Sequence, residues 1–273
     1  YGQGRAAGAE EVYGFSPAGV LTTIAAPTPE TDGTAPSAAV AVSAVGGVAV
    51  PAGGGDARVE FSGTMPTRVG RTTYTYDAAG RVMRTVTKRI SRKPLVRNFY
   101  YATGEQPIGF DSSDAPGVGW RYVYDGLGRR VAKETVDTQT GETIARTVFV
   151  HAGGELAGEC VTVGADAGCG YVWTRDPATG EVVGQTQLTA HGDPAGGVRS
   201  WSQERVDAEF YAIVADLAGA PQEIIDPNTG VVCGRADASL YGRRTWRGAQ
   251  SCPLLFAGQY QDVESGWVYN RFR

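Results

Sequence analysis

The chain has 273 residues, of which 42% are hydrophobic and 20% charged, so it can bury a sizeable core and is too apolar for wholesale disorder. Its formal net charge of −4 argues against a protein that binds nucleic acid through overall charge, and it contains no apolar run of about 18 residues that would span a bilayer. With 39 glycines, 13 tyrosines and only three lysines, the composition favours short strands joined by many turns, and hence an all-β fold.

The first 25 residues carry a strand–turn–strand pattern in weak form. Tyr13 and Phe15 form an aromatic pair, and Gly19 stands where a turn would end, but Ser16 occupies the position at which stronger copies below have aspartate. We interpret residues 1–25 as degenerate repeat strands. The chain begins at Tyr1 without methionine or a signal segment, which is typical of a piece of a longer polypeptide.

Residues 26–55 differ from the rest because they are rich in Ala, Pro, Gly and Thr, and we interpret them as an inserted loop. Within them, two valine-containing stretches flank Gly46 and Gly47, a pair that suits a two-residue hairpin turn. A small hairpin and a mobile loop are both compatible with this pattern. The segment is too short in apolar residues to cross a membrane.

The strongest repeat is YTYDAAGRV, residues 74–82, which returns as YVYDGLGRR, residues 122–130. Two tyrosines spaced two apart share one face of a strand, the aspartate can accept hydrogen bonds from the backbone that follows, and the glycine can take the positive φ that ends the turn. The pattern predicts antiparallel hairpins, stacked into a long spiralling or layered sheet. Its predicted structural residues are Tyr74, Tyr76, Asp77, Gly80, Tyr122, Tyr124, Asp125 and Gly128.

A basic run lies between the two copies. It contains Arg81, Arg84, Lys88, Arg89, Arg92, Lys93 and Arg97, and aromatic residues follow at Phe99, Tyr100 and Tyr101. A phosphate or nucleic-acid patch is one interpretation. A solvated hairpin, or a lining that faces an acidic partner, is favoured, and no nucleic-acid partner is expected.

A second turn type begins at Asp176 and Asp226, where a proline presets φ and a later glycine can take the left-handed conformation. The stretch from Asp262 is a third copy without the proline.

Two cysteine pairs each flank a turn-rich stretch: Cys160 with Cys169, and Cys233 with Cys252. Two short-range disulfides are therefore conceivable, and four unpaired thiols is the equal alternative. The two histidines, His151 and His191, stand apart, and no C-x-x-C spacing occurs, so a zinc site is not expected. The sequence also lacks a G-x-S-x-G elbow and a phosphate loop, so we expect no catalytic residues and no cofactor.

In this order, the segments resemble the Tyr-Asp (YD) repeats and associated core region of Rhs proteins, a bacterial polymorphic-toxin family. The resemblance covers residues 74–273 and extends more weakly towards Tyr1. It rests on WRYVYDGLGRRVAKE (120–134), TVFVHAGGELAGE (147–159), FYAIVADLAGAPQEIID (210–226) and the closing LFAGQYQDVESGWVYNRFR (255–273), which is similar to the family's most recognisable signature.

The resemblance implies that residues 56–273 form part of a hollow β-shell, or cocoon, which encloses a C-terminal toxin and is secreted or delivered for bacterial competition. Implied partners are that toxin, components of a secretion apparatus or toxin complex, and an immunity protein. The family's self-cleaving aspartyl protease segment would lie beyond Arg273, so this chain is expected to be structural and not an enzyme. A partial shell would also expose strand edges, which predicts aggregation or oligomerisation of residues 1–273 expressed alone.

The alternative is a cell-surface adhesion or carbohydrate-binding module, because YD repeats also occur in such proteins and exposed indole rings can stack on sugars. Its candidate residues are Trp120, Trp173, Trp201, Trp246 and Trp267. Burial in the sheet is the commoner fate of such rings.

Overall fold

The fold is taken from a computed structural model, which describes residues 12–15, 21–25, 44–45, 48–49, 57–164, 166–188, 202–238 and 244–271. Most of the predicted 26–55 loop lies outside these residues. So do Ser16, Gly19, His191 and Trp201.

The described residues form strands joined by short turns, and the predicted all-β antiparallel class is confirmed. The early strands are β1 Val12–Phe15, β2 Leu21–Ala25, β3 Ala44–Val45, β4 Val48–Ala49, β5 Ala57–Ser62, β6 Met65–Val69, β7 Thr72–Tyr76, β8 Val82–Thr87 and β9 Leu95–Tyr101. The later strands are β10 Pro107–Ser112, β11 Val118–Tyr124, β12 Arg130–Asp137, β13 Thr143–Ala152, β14 Glu155–Val163, β15 Asp166–Arg175, β16 Val182–Leu188, β17 Phe210–Ala215, β18 Pro221–Ile225, β19 Val232–Ala238, β20 Arg244–Gly248, β21 Tyr260–Gln261 and β22 Val268–Tyr269.

Helical structure in the described part of the chain is limited to two short pieces. Helix α1 spans Gln203–Ala208 and is capped by Ser202, whose hydroxyl accepts a hydrogen bond from the backbone N–H of Arg205 at 3.3 Å. A single 3-10 turn spans Phe256–Gly258. No helix among these residues has the length and apolar character needed to cross a membrane.

The chain divides into two compact units. The first contains the described residues up to Asn98 together with 238–245 and 263–268. In it, β1 pairs with β2, β2 with β5, and β5 to β9 pair each with the next, all antiparallel. Strands β3 and β4 pair separately, with Val45 opposite Val48, which is the arrangement of the small hairpin considered above.

The second unit contains the described residues of 99–237, 246–262 and 269–271. Its strands β10 to β19 also pair each with the next in antiparallel register. In most of the tight hairpins the register shifts next to the turn, as between Val123 and Tyr124 in β11. Such bulges increase the local twist of a sheet and set the direction in which the turn leaves it.

One face of the second unit's sheet is covered by residues 250–262, which we call the covering segment. Antiparallel partners share a face, so the pairing of Phe149 with Glu159, and of Trp173 with Gln185, identifies the covered face. The hydrophobic core lies between this face and the covering segment. It consists of Phe149, Leu156, Trp173, Val182, Ile213, Ile224, Cys252, Leu254 and Tyr260.

Candidate functional site

The repeat aspartate Asp125 holds its turn through its own carboxylate. Its Oδ1 accepts hydrogen bonds from the backbone N–H groups of Leu127 and Arg129, both at 2.9 Å, and its Oδ2 accepts one from Arg129 Nε at 2.7 Å. Gly128 ends the turn with φ of +73°. These hydrogen bonds, led by the one from the backbone of Arg129, hold the pKa of Asp125 below its usual value. The carboxylate is thus engaged in shaping the backbone.

The same geometry occurs at Asp77. Its Oδ1 accepts hydrogen bonds from the backbone of Ala79 and Arg81 at 2.9 Å, its Oδ2 accepts one from Arg81 Nε at 2.7 Å, and Gly80 has φ of +81°. The two copies therefore agree in every hydrogen bond of the turn, which makes the repeat a structural module as well as a sequence pattern.

A third copy, centred on Asp216, escaped the sequence interpretation. Asp216 accepts hydrogen bonds from the backbone N–H groups of Ala218 and Ala220 at 2.9 Å, and Gly219 has φ of +80°. Ile213 and Ala215 replace the aromatic residues that mark the other copies. Only the D-x-x-G spacing, without its tyrosines, signals this turn.

The repeat tyrosines have two distinct environments. The first of each pair is buried in the sheet, with Tyr74 at 6% and Tyr122 at 5% exposure. The second directs its hydroxyl back to the preceding strand: Tyr76 donates to the carbonyl of Pro66 at 2.6 Å, and Tyr124 to that of Pro107 at 2.8 Å. Each module is therefore tied to the strand that precedes it within its own unit.

The second turn type is built in a similar way at Asp176 and Asp226, and also at Asp137, which was not among the predicted copies. At each, the glycine N–H four residues on donates to the aspartate carbonyl at 2.8 Å. The three glycines, Gly141, Gly180 and Gly230, have φ between +71° and +76°. The carboxylates again accept hydrogen bonds from backbone N–H groups within the turn.

Asp262, in the closing signature, has a different role. Its Oδ2 accepts a hydrogen bond from Nη1 of Arg130 at 2.6 Å, and its Oδ1 accepts one from Nζ of Lys133 at 3.3 Å. The side chains of Arg130 and Asp262 are 3% and 5% exposed. A carboxylate from the covering segment is therefore bound to two cations of β12 inside the core, between residues separated by 132 and 129 positions in the sequence.

Aromatic rings surround the guanidinium of Arg130. Its Cζ lies 4.4 Å from the ring centroid of Tyr269, 4.8 Å from that of Phe149, and 5.3 Å from those of Tyr122 and Tyr260. Burial opposes the charge of Arg130, but the carboxylate of Asp262 outweighs this effect and keeps the pKa of the guanidinium above its usual value. The cation is held by one ion pair and by the faces of these rings.

Glu159 and Tyr260 complete the buried polar cluster. Glu159 in β14 is 8% exposed, and burial raises the pKa of its carboxyl, while a hydrogen bond with the Tyr260 hydroxyl opposes that rise. Tyr260 also packs edge-on against Phe149, with ring centroids 5.1 Å apart. We call Arg130, Lys133, Glu159, Tyr260 and Asp262 the latch, because they join the covering segment to β12 and β14.

Two further polar contacts hold the covering segment at its other end. Gln185, fully buried in β16, donates from Nε2 to the carbonyl of Ser251 at 3.3 Å. Gln250 donates from Nε2 to Oε1 of Gln187 at 3.1 Å. The covering segment is thus attached at both ends, with Leu254 fully buried between them.

Sequence relatives of this chain include named toxins. No protein-family model matches the chain. It is 31% identical over 210 residues to the double-stranded DNA deaminase toxin A of Burkholderia cenocepacia (strain H111). That alignment covers 73% of this chain and 14% of the toxin. It is 28% identical over 223 residues to the probable deoxyribonuclease RhsA of Dickeya dadantii (strain 3937). That alignment covers 74% of this chain and 13% of RhsA. The chain is a relative of Rhs proteins.

The chain spans about one seventh of the length of these Rhs relatives, as the shares of 14% and 13% show. Among solved structures, a crystal structure of TcdB2–TccC3 matches 96% of this chain and 15% of that chain, with 12% identity and a TM-score of 0.45.

The cysteines and His151, which the sequence singled out, are not members of the latch. The four cysteines are thiols in this structure, with Cys252 buried and Cys169 exposed, so disulfide formation stays a prediction. His151, at the end of β13, is partly buried, and that burial lowers its pKa. Among the described residues, no group of three His, Cys, Asp or Glu side chains is placed to hold a metal ion.

Three of the described tryptophans pack against other residues. Trp173 is 4% exposed in the core, Trp246 packs against the same core, and Trp120 packs on Phe110 at a centroid distance of 5.4 Å. The predicted fate of these rings as packing residues fits this placement.

Proposed function

We propose that this chain is a segment of the wall of an Rhs toxin capsule, corresponding to the Rhs repeat-associated core region, and that it encloses a C-terminal toxin domain lying beyond this sequence. The observation that carries the proposal is the repeated turn module, which uses aspartate carboxylates to shape backbone and links successive strands into an extended antiparallel sheet. The relationship to much longer proteins named as a toxin and as a probable deoxyribonuclease supports a toxin context.

The distribution of polar groups supports a structural role over a catalytic one. The turn aspartates accept hydrogen bonds from their own backbone, and in the buried latch the carboxylate of Asp262 is paired with Arg130 and Lys133. General acid–base or nucleophilic catalysis needs reactive groups that converge on an accessible point. The activities in the relatives' names would then belong to domains outside the residues shared with this chain.

In the proposed wall, the latch would help to fix the place where the chain leaves the sheet. Asp262 and Tyr260 anchor the covering segment to the sheet, and Gln106 donates from Nε2 to the carbonyl of Arg271 at 3.3 Å. The chain that continues from Arg271 would therefore leave the sheet at a fixed place. In a self-processing capsule, such a fixed exit would present the following segment to self-cleavage in a constant orientation.

Several partners belong to this proposal. The main one is the protein's own C-terminal toxin as cargo. Components of a secretion apparatus or toxin complex would carry the capsule to an extracellular target, and an immunity protein would protect the producer.

Protease protection of the cargo tests the proposed function. The natural full-length protein is treated with a broad-specificity protease before and after mild unfolding, and the fragments are identified by mass. We expect a C-terminal fragment that resists digestion in the folded protein and is degraded once the wall unfolds. A C-terminal domain digested at the same rate in both states would contradict enclosure.

An adhesion module predicts a different outcome, namely binding to immobilised glycans by the intact protein. The burial of Trp173 and the packing of Trp120 and Trp246 give that alternative no support.

A further inference from the structure

The first unit has a strong local charge that the proposed wall function does not use. Between Arg58 and Arg97 the sequence contains ten arginines and lysines, and only Glu60 and Asp77 as acids. The whole chain, in contrast, has a formal net charge of −4. This one stretch therefore produces a positive field on an otherwise acidic protein.

Backbone pairing brings several of these cations to one end of the sheet. Gly70 donates its N–H to the carbonyl of Arg58, and Lys88 donates its N–H to the carbonyl of Arg71, both at 2.9 Å. Because hydrogen-bonded strands lie about 5 Å apart, Arg58, Arg71 and Lys88 form a row across neighbouring strands. All three side chains are exposed.

The loop from Lys88 to Pro94, which we call the basic loop, extends this row. Arg92 and Lys93 are exposed in it. No ion pair within 4.0 Å joins Arg71, Lys88, Arg92 or Lys93 to a described carboxylate. The two nearby acids pair elsewhere, Glu60 with Arg68 and Asp77 with Arg81. These cations are therefore available to an anionic partner.

The tip of the basic loop carries an apolar residue. Ile90 is 72% exposed, and Ser91 beside it reverses the chain with φ of +56°. A single exposed isoleucine is ordinary on a protein surface. Here it projects between cations on both sides, which is the combination of apolar tip and basic flank that binds a charged lipid interface.

We propose that the basic loop, with Arg58 and Arg71 beside it, is a docking surface for a bilayer containing anionic phospholipids. The cations would lie at the headgroups, while Ile90 enters the boundary with the acyl chains. A nucleic-acid strand fits less well, because the loop from Lys88 to Pro94 contains no aromatic ring on which a base could stack. The inference concerns the first unit and does not depend on the capsule function.

Vesicle co-sedimentation tests the proposal with the purified natural protein. The vesicles contain phosphatidylcholine alone or phosphatidylcholine with phosphatidylglycerol, at low and high salt. We expect binding to the anionic vesicles only, and a marked loss at high salt, since exposed charges are screened within about 8 Å at physiological ionic strength.

Three variants assign the binding to residues. Arg92→Gln with Lys93→Gln should weaken binding by about fivefold for each cation removed. Ile90→Ser should weaken it by about tenfold, and this loss should remain at high salt. The control, Arg235→Gln with Arg247→Gln, removes the same charge from exposed positions of other strands and should leave binding unchanged. Matching thermal melting curves would show that all variants are folded.

Three results would overturn the proposal. The first is equal binding to neutral and anionic vesicles. The second is equal loss in the loop variants and the control, which would indicate a response to net charge alone. The third is retention of duplex DNA by the protein without vesicle binding, which would assign the loop to nucleic acid.

Discussion

Removal of the carboxylate at Asp262 should destabilise the protein far more than removal of an exposed one. Asn has nearly the same shape as Asp, so the Asp262→Asn variant changes the charge without opening a cavity. Arg130 and Lys133 would then be left in the core as two cations without their shared anion. Breaking a buried ion pair from one side costs about 3–5 kcal/mol. Domains of this kind are stable by only about 5–15 kcal/mol, so the loss is a large fraction of the total.

The arrangement of the latch also predicts an order among variants. In Arg130→Met, Asp262 keeps Lys133 as a partner at 3.3 Å, and methionine fills part of the aromatic surround. This change should therefore cost less free energy of unfolding than Asp262→Asn. The control is Glu223→Gln, which breaks a pair with Arg235 at 2.6 Å whose side chains are 30% and 61% exposed. Exposed pairs contribute about 0–1 kcal/mol, so this variant should cost least.

Urea denaturation at neutral pH, followed by tryptophan fluorescence, measures these differences because Trp173 lies in the same core. Hydrogen exchange then locates the effect, and we expect faster exchange in residues 250–262 of Asp262→Asn. If Asp262→Asn costs no more than Glu223→Gln, the buried pair is not what holds the covering segment, and the reasoning is wrong.

Other consequences concern the turns, the strand packing and one buried acid. Gly128→Ala should lower stability by about 1–2 kcal/mol because φ is +73°, whereas Gly126→Ala, which has open space and no positive φ, should be nearly neutral in the same thermal melt. Gly170→Ala would place a Cβ in steric clash with the carbonyl oxygen of Glu159, so it should lower the melting temperature sharply, while Gly104→Ala meets no atom within 4 Å and should not. Burial raises the pKa of Glu159 in the folded state, so the folded state favours the protonated carboxyl. The resulting contribution to the free energy of unfolding is fully present at acid pH and is lost as the pH rises through the folded-state pKa. Glu159→Gln should therefore raise the melting temperature more at alkaline than at acid pH, and a pH-independent change would argue against a raised pKa.

The local parts of the fold were predictable because their causes are local. Asp125 and Gly128 lie within four residues of every atom they organise, so the sequence pattern contains the whole turn. The turn at Asp216 uses the same backbone bonds but lacks the tyrosines, and a search guided by aromatic pairs passes over it. The all-β class follows from many such turns.

The latch was not predictable, because its partners are far apart in sequence. Arg130 follows Arg129 in the chain, and only the structure shows that Arg129 binds the turn aspartate while Arg130 enters the core. Asp262 was predicted to start a turn, and residues 263–265 do form one, with Gly266 at φ of +71°. The pattern did not reveal the ion pair of Asp262. Its pairing depends on how the covering segment packs on the sheet, which local propensity does not encode.

The capsule proposal is tested most directly by mass spectrometry of the natural full-length product, measured first under native conditions and then after denaturation. We expect a C-terminal piece that is cut from the chain downstream of Arg273, stays with the wall in the native measurement, and separates from it on denaturation. A single uncut chain whose C-terminal part is open to added protease would contradict the account.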